Sequence, residues 1–172
     1  HDVIINGLIQ KLHGTGITQV VVTHDEDGGF HAFINRCAHR GTTVVRDLAG
    51  NTKDFTCIYH HWCYDLQGNL IGVPFERGMN GEGGMPEDFD KADHGLTMLR
   101  LARHSGVLFG SMDPEVEPLE SYLGAHPVEF LEDMFAKPIE ILGYTRQRMP
   151  SNWKFYWEHL NDNYHAGLLH QF

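Results

Sequence analysis

The sequence predicts a mainly β, antiparallel domain over about residues 1–116, followed by the beginning of an α+β unit over 117–172. Three observations carry this. Short β-branched or alternating runs are separated by Gly, Asp and Asn turns, Asp113–Pro118 (DPEVEP) reads as a junction, and Trp153–Leu169 is aromatic and nearly free of helix breakers. Residues 18–35, TQVVVTHDEDGGFHAFIN, form two strand-like runs around Asp27-Gly28-Gly29, a hairpin signal. Further strands are expected at Thr42–Arg46, Lys53–Ile58, Asn69–Val73 after Gln67-Gly68, and Leu96–Leu101 leading into Gly106–Phe109. Residues 76–95 are Gly-rich, acidic and unperiodic, which predicts a long surface loop with a helical turn at Pro86–Phe89. Leu119–Leu123 is expected as a short helix and Pro138–Arg148 as a strand, and Ser151 can cap a helix running from Trp153 to Leu169.

Composition narrows the partners. The 13 Lys and Arg against 23 Asp and Glu give a net charge of −10, which argues against nucleic acid and anionic membrane surfaces. No apolar run approaches the roughly 20 residues of a bilayer span, and no charged-then-apolar start suggests a signal peptide. A soluble, cytoplasmic protein is expected. Cys37, Cys57 and Cys63 are too few for a disulfide-stapled secreted module. The chain starts at His1 without Met and stops at Phe172 just beyond the helix-like stretch, so it reads as part of a longer polypeptide.

Two half-motifs carry the first chemistry. Cys37-Ala38-His39 and Cys57-Ile58-Tyr59-His60 each offer one thiolate and one imidazole, each near a strand end where a turn can aim both side chains at one point. Such a mixture suits zinc or an iron–sulfur centre. Zinc fingers pair Cys with Cys and His with His, whereas each half here is mixed and lies on a β-turn. The plainest alternatives are two unrelated buried cysteines with surface histidines, or a structural zinc site.

At these residues the sequence resembles the Rieske [2Fe–2S] family, with its C-x-H and C-x2-H halves. The resemblance implies that Cys37 and Cys57 hold one iron and His39 and His60 the other. Neutral imidazoles in place of two thiolates raise the potential, to between about −150 and +300 mV. Cytochrome-complex members carry two further cysteines in a disulfide; here Thr42 stands at the matching loop position, which points to the soluble oxygenase and ferredoxin branch. Cys63 is then a packed, inert cysteine and Trp62 packs beside the cluster. His61 stands where the family has Gly, so either this residue takes a rare backbone conformation or the turn differs.

The second constellation is Asp162, His165 and His170. In a regular helix Asp162 and His165 share a face, while His165 and His170 point about 140° apart. Binding one metal therefore predicts a distorted helix between Tyr164 and Leu169, where Gly167 is tolerated. Taken alone, two histidines on an aromatic helix are more often packed or solvated side chains than ligands.

Together with the upstream motif, D-x2-H-x4-H resembles the large (α) subunits of Rieske non-heme iron aromatic-ring-hydroxylating oxygenases. Asn152-Trp153-Lys154, CIYHHWCYDLQGNL and GVPFERGMNGEGGMPEDFD extend the likeness, which is greatest to the aromatic-carboxylate group: salicylate hydroxylases and terephthalate, anthranilate and halobenzoate dioxygenases. The resemblance implies a mainly β Rieske domain with antiparallel sheets, then the beginning of an α+β, helix-grip-like catalytic domain continuing past Phe172. It implies a mononuclear Fe(II) on His165 and His170, with a third, carboxylate ligand downstream of this chain. Asp162 becomes the bridge that passes electrons between its iron ligand and His60 of the partner subunit. A reductase and in some members a ferredoxin, further α subunits in a trimer, a small β subunit, an aromatic substrate and O2 are the implied partners. The rivals are a Rieske ferredoxin, for which about 110 residues suffice, and a zinc-stabilised binding module.

Overall fold

The computed structural model describes residues 3–4, 8–10, 17–140, 142–143 and 150–169. Two compact units divide the chain, 1–136 and 137–172. The first is antiparallel β throughout its described strands. Its largest sheet centres on β3 (Ile17–His24), which pairs with β1 (Val3–Ile4), β2 (Leu8–Gln10) and β4 (Phe30–Ile34), while β5 (Ala49–Gly50) extends from β1. A second sheet runs β6 (Asp54–Thr56), β7 (Cys63–Asp65), β8 (Leu70–Gly72), and β9 (Arg100–His104) pairs with β10 (Val107–Ser111).

The β3–β4 hairpin is buried on both faces, and the pleat explains how. Val21 opposes Phe33, and both enter a core with Cys37, Phe55, Cys57, Trp62, Tyr64 and Leu70. Their neighbours Val20 and Ala32 point to the opposite face, where they meet Leu99. The expected turn closes the hairpin: Asp25 Oδ1 accepts from Gly29 N–H at 2.6 Å, with Gly28 at φ 84°.

Three expected strands need correction. Thr42–Arg46 is not a strand, because a buried side chain takes its backbone bonds. Asn35 Oδ1 accepts from Val44 N–H and Val45 N–H (3.0 and 2.9 Å), and its Nδ2 donates to Val45 O at 2.6 Å. Regular pairing after residue 96 starts only at Arg100; before it, Leu96 and Leu99 N–H donate singly to Gly68 O and Ala32 O. Of Pro138–Arg148, residues 138–140 and 142–143 are irregular rather than strand, and the others lie outside the described residues.

Strand β7 and a helix over Ala125–Met134 were not expected. Here that helix is α2, and α1 is the expected Leu119–Leu123. His104 on β9 links both helices to the hairpin, its Nδ1 lying 3.7 Å from Glu120 and its Nε2 3.5 Å from Glu132.

Residues 76–95 are a loop, as expected, but an ordered one. Lys91 Nζ pairs with Glu76 at 2.8 Å, Phe89 N–H donates to Pro86 O, and a 3-10 turn at Lys91–His94 is capped by Asp90. Gly78 is left-handed (φ 77°), and a Cβ there would collide with Glu82 O and stand 2.7 Å from Gly83 O. Gly78→Ala is therefore expected to cost about 1–3 kcal/mol, read as a lowered Tm. An unchanged Tm would contradict this account of the loop.

In the second unit, α3 is Trp153–Leu160 and α4 is Asn163–Leu169. Asn152 caps α3 in place of Ser151, accepting from Lys154 N–H at 3.0 Å. The expected distortion lies earlier than Tyr164–Leu169: the helix ends at Asn161, whose Nδ2 donates to Trp157 O at 2.9 Å, and restarts after Asp162. Gly167 sits inside α4 without breaking it. No helix among the described residues is long and apolar enough to cross a membrane.

Candidate metal centre

Two loops of the first unit carry four donors, and the loops are built alike. In 37–42, Cys37 N–H donates to Thr42 O and Gly41 N–H to Cys37 O, both at 2.8 Å. In 57–62, Cys57 N–H donates to Trp62 O and His61 N–H to Cys57 O, both at 2.9 Å. The fifth position of each is left-handed, Gly41 at φ 74° and His61 at φ 56°. The turn is thus kept where Gly is replaced by His61, at a steric cost of about 1–2 kcal/mol.

This repeat brings Cys37, His39, Cys57 and His60 together in one region. Cys37 and Cys57 are free thiols, 4% and 1% exposed, whereas His39 and His60 are exposed with ring centroids 4.5 Å apart. Among the described residues no three His, Cys, Asp or Glu form a group that could hold one ion. The donors come instead as a buried sulfur pair and an outer imidazole pair, which fits a two-iron group with thiolates on one iron and imidazoles on the other. Desolvation first, then the facing His60 and Arg40, hold the His39 ring below its ordinary pKa. That favours the neutral imidazole, the form that binds metal.

Tyr64 is a site residue that sequence reasoning missed. Its hydroxyl accepts from Ala38 N–H at 3.1 Å and lies 3.2 Å from Cys37 Sγ, where it can donate its proton to a thiolate sulfur. Burial, then Cys37, push the phenol well above its ordinary range and keep it a donor. The available signal was the alternation Cys63-Tyr64-Asp65 after the second half-motif, which puts Tyr64 on the inner face of β7. With a cluster bound, a bond from Tyr64 to the Cys37 sulfur would stabilise the more negative, reduced form. Tyr64→Phe is expected to lower the potential by roughly 65–130 mV, the one-electron equivalent of one lost hydrogen bond to a charged group; film voltammetry giving the wild-type value would contradict it. Cys63 is half-buried beside Thr56, and desolvation raises its thiol pKa, as suits an inert packing role.

The second constellation is brought together in part. Asp162 precedes α4 rather than lying within a helix, and its Oδ1 accepts from Tyr164 N–H at 2.9 Å. Its other oxygen lies 3.4 Å from His165 Nδ1, so the expected pairing arises from capping and not from a shared helix face. The Tyr164 N–H, and after it His165, hold the Asp162 carboxyl below its ordinary pKa. The His165 ring stacks on His159 at 4.1 Å. His170 lies outside the described residues.

Residues 10–82 match the family model of the Rieske [2Fe–2S] domain, a span that holds all four donors of the paired loops. The chain is 51% identical over 157 residues to the anthranilate 1,2-dioxygenase large subunit of Burkholderia cepacia, covering 91% of this chain and 37% of that protein. Residues 10–82 are a Rieske [2Fe–2S] domain. The chain is also 46% identical over 157 residues to the terephthalate 1,2-dioxygenase terminal oxygenase component subunit alpha 2 of Comamonas sp., covering 91% of this chain and 38% of that one. The solved naphthalene 1,2-dioxygenase with indole in its active site superposes with a TM-score of 0.79 at 35% identity, over 96% of this chain and 35% of that one. The chain therefore corresponds to the N-terminal part of such subunits and spans little more than a third of their length.

Proposed function

We propose that the complete protein is the terminal oxygenase component of a system that hydroxylates an aromatic ring, with an aromatic carboxylate as substrate. The observation that carries this is the pair of equivalent loops with sulfurs inside and imidazoles outside, in a chain 51% identical to an oxygenase large subunit. Cys37 and Cys57 would hold one iron of the cluster, and His39 and His60 the other. His165 and His170 would hold the mononuclear Fe(II), with a carboxylate from outside this chain. When bound, the cluster supplies one-electron transfer and the mononuclear iron supplies O2 activation.

The chain's own residues do the positioning. Tyr64 places its hydroxyl 3.2 Å from Cys37 Sγ, and Asp162, kept ionised by the Tyr164 N–H, stands 3.4 Å from His165 Nδ1. A carboxylate in that place fixes the tautomer and orientation of a ligand imidazole. In an assembly, the same carboxylate would bridge to His60 of the partner subunit. We read residues 1–116 as the Rieske domain and 117–172 as the start of the catalytic domain. The anthranilate and terephthalate in the relatives' names are both aromatic carboxylates, which supports that substrate class. The proposed partners are a reductase, with or without a ferredoxin, further α subunits in a trimer and a small β subunit, in the cytoplasm.

Metal and sulfide analysis of the complete subunit, with turnover alongside a reductase, tests this. Iron beyond the cluster's two, with oxygenated product, is expected. Cluster iron alone without product would leave a Rieske electron carrier; zinc without sulfide would leave a binding module.

A further inference from the structure

One of the two exposed imidazoles is backed by a buried ring and the other by an exposed one. The Trp62 indole, 5% exposed, lies flat on His39, with centroids 4.8 Å apart and planes 10° from parallel. Its edges meet two rings from the ordered loop 76–95: Phe89 at 6.0 Å and His94 at 5.8 Å. Those two stack on each other at 4.7 Å, so neither turns without the other. The Lys91–Glu76 pair and the Asp90 cap hold the segment that carries them. His60 has its own ring neighbour in Tyr59 at 3.9 Å, but that ring is tilted by 38° and 56% exposed, whereas Trp62 is buried.

An imidazole bound to a metal through one nitrogen can still rotate about that bond, and its orientation is a lever on ligand basicity and potential. Ring packing at van der Waals distance restricts that rotation. We propose that Trp62 is a positioning residue for the His39 imidazole, and that Phe89 and His94 act through Trp62, so that loop 76–95 sets the orientation of one imidazole and leaves the other alone. This rests on reading His39 as a cluster ligand.

The test is pulsed EPR of nitrogen couplings in the reduced, cluster-loaded complete subunit. Trp62→Leu is expected to shift the coupling of one imidazole nitrogen beyond its linewidth while the other stays within it. Trp62→Phe should return the shifted coupling toward the wild-type value. Phe89→Leu with His94→Leu leaves both ligand loops intact and should move the same coupling in the same direction. That double variant also decides the matter if Trp62→Leu fails to fold. Unchanged couplings in the double variant, or equal shifts of both nitrogens, would overturn the proposal. His39→Ala in the same assay checks the ligand reading separately: a cluster that persists with both nitrogen couplings would remove His39 from the ligand set, whatever Trp62 does.

Discussion

Replacing Cys57 with Ala is expected to yield protein with less than about a tenth of the wild-type cluster iron and sulfide. Cys57 is 1% exposed at the base of loop 57–62, where its backbone makes both closing hydrogen bonds. Alanine keeps those bonds and fits the space, so the loop itself should survive. What is lost is one of the two buried sulfurs, and no other thiol stands ready to replace it. Cys63, the remaining cysteine, is on β7 beside Thr56, outside both loops. Binding of the cluster is coupled to the native state, so the variant should also unfold at lower temperature than the loaded wild type. Stripping the wild type with a chelator under reducing conditions should lower its Tm to nearly that of the variant. Visible absorption, iron and sulfide assays and a thermal scan read these outcomes. Wild-type iron and sulfide in Cys57→Ala would show that the paired-loop site is not where the cluster sits.

Asp162→Asn is expected to leave the cluster spectrum of the complete subunit intact and to cut turnover by roughly 10–100-fold. Asparagine caps helices as well as aspartate, so the bond from Tyr164 N–H and the start of α4 should be retained. The change removes the charge alone. In the wild type that charge persists at neutral pH, because the Tyr164 N–H and His165 both lower the carboxyl pKa. Stability linked to this group is present above the ordinary carboxylate range and is lost as pH falls through the lowered value. A loss of turnover in Asp162→Asn with reducible cluster and unchanged iron content would place the defect between the two centres. Normal product formation in this variant would remove Asp162 as the bridge.

The site was more legible in the sequence than the fold around it. Cys37, His39, Cys57 and His60 were readable because ligand identity at fixed short spacing is local information, and the two closing hydrogen bonds of each loop are equally local. Tyr64 was not, because its role depends on β7 folding back so that the phenol reaches Cys37 across 27 positions of chain. The same kind of long-range bond defeated the strand expected at Thr42–Arg46. Its β-branched residues favour extension, yet Asn35 takes the donors and acceptor that a sheet would have used. At Asp162 the pairing with His165 was expected for the wrong geometric reason. Spacing gave the contact, but the side chain that ends α3, Asn161, decided that it would be made from a cap. The wall of rings behind His39 joins segments 57–62 and 76–95, and no periodicity in the latter announces it.

The proposed centre is a single two-iron cluster held by a buried sulfur pair and an exposed imidazole pair. Pulsed EPR of the reduced complete subunit tests it most directly, since only nitrogen-ligated iron–sulfur centres couple the unpaired electron strongly to imidazole nitrogens. Two strong and distinguishable nitrogen couplings, one lost or altered in each of His39→Cys and His60→Cys, are the expected result. A reduced cluster with no strong nitrogen coupling, or an EPR-silent protein that binds zinc in its place, would contradict the account.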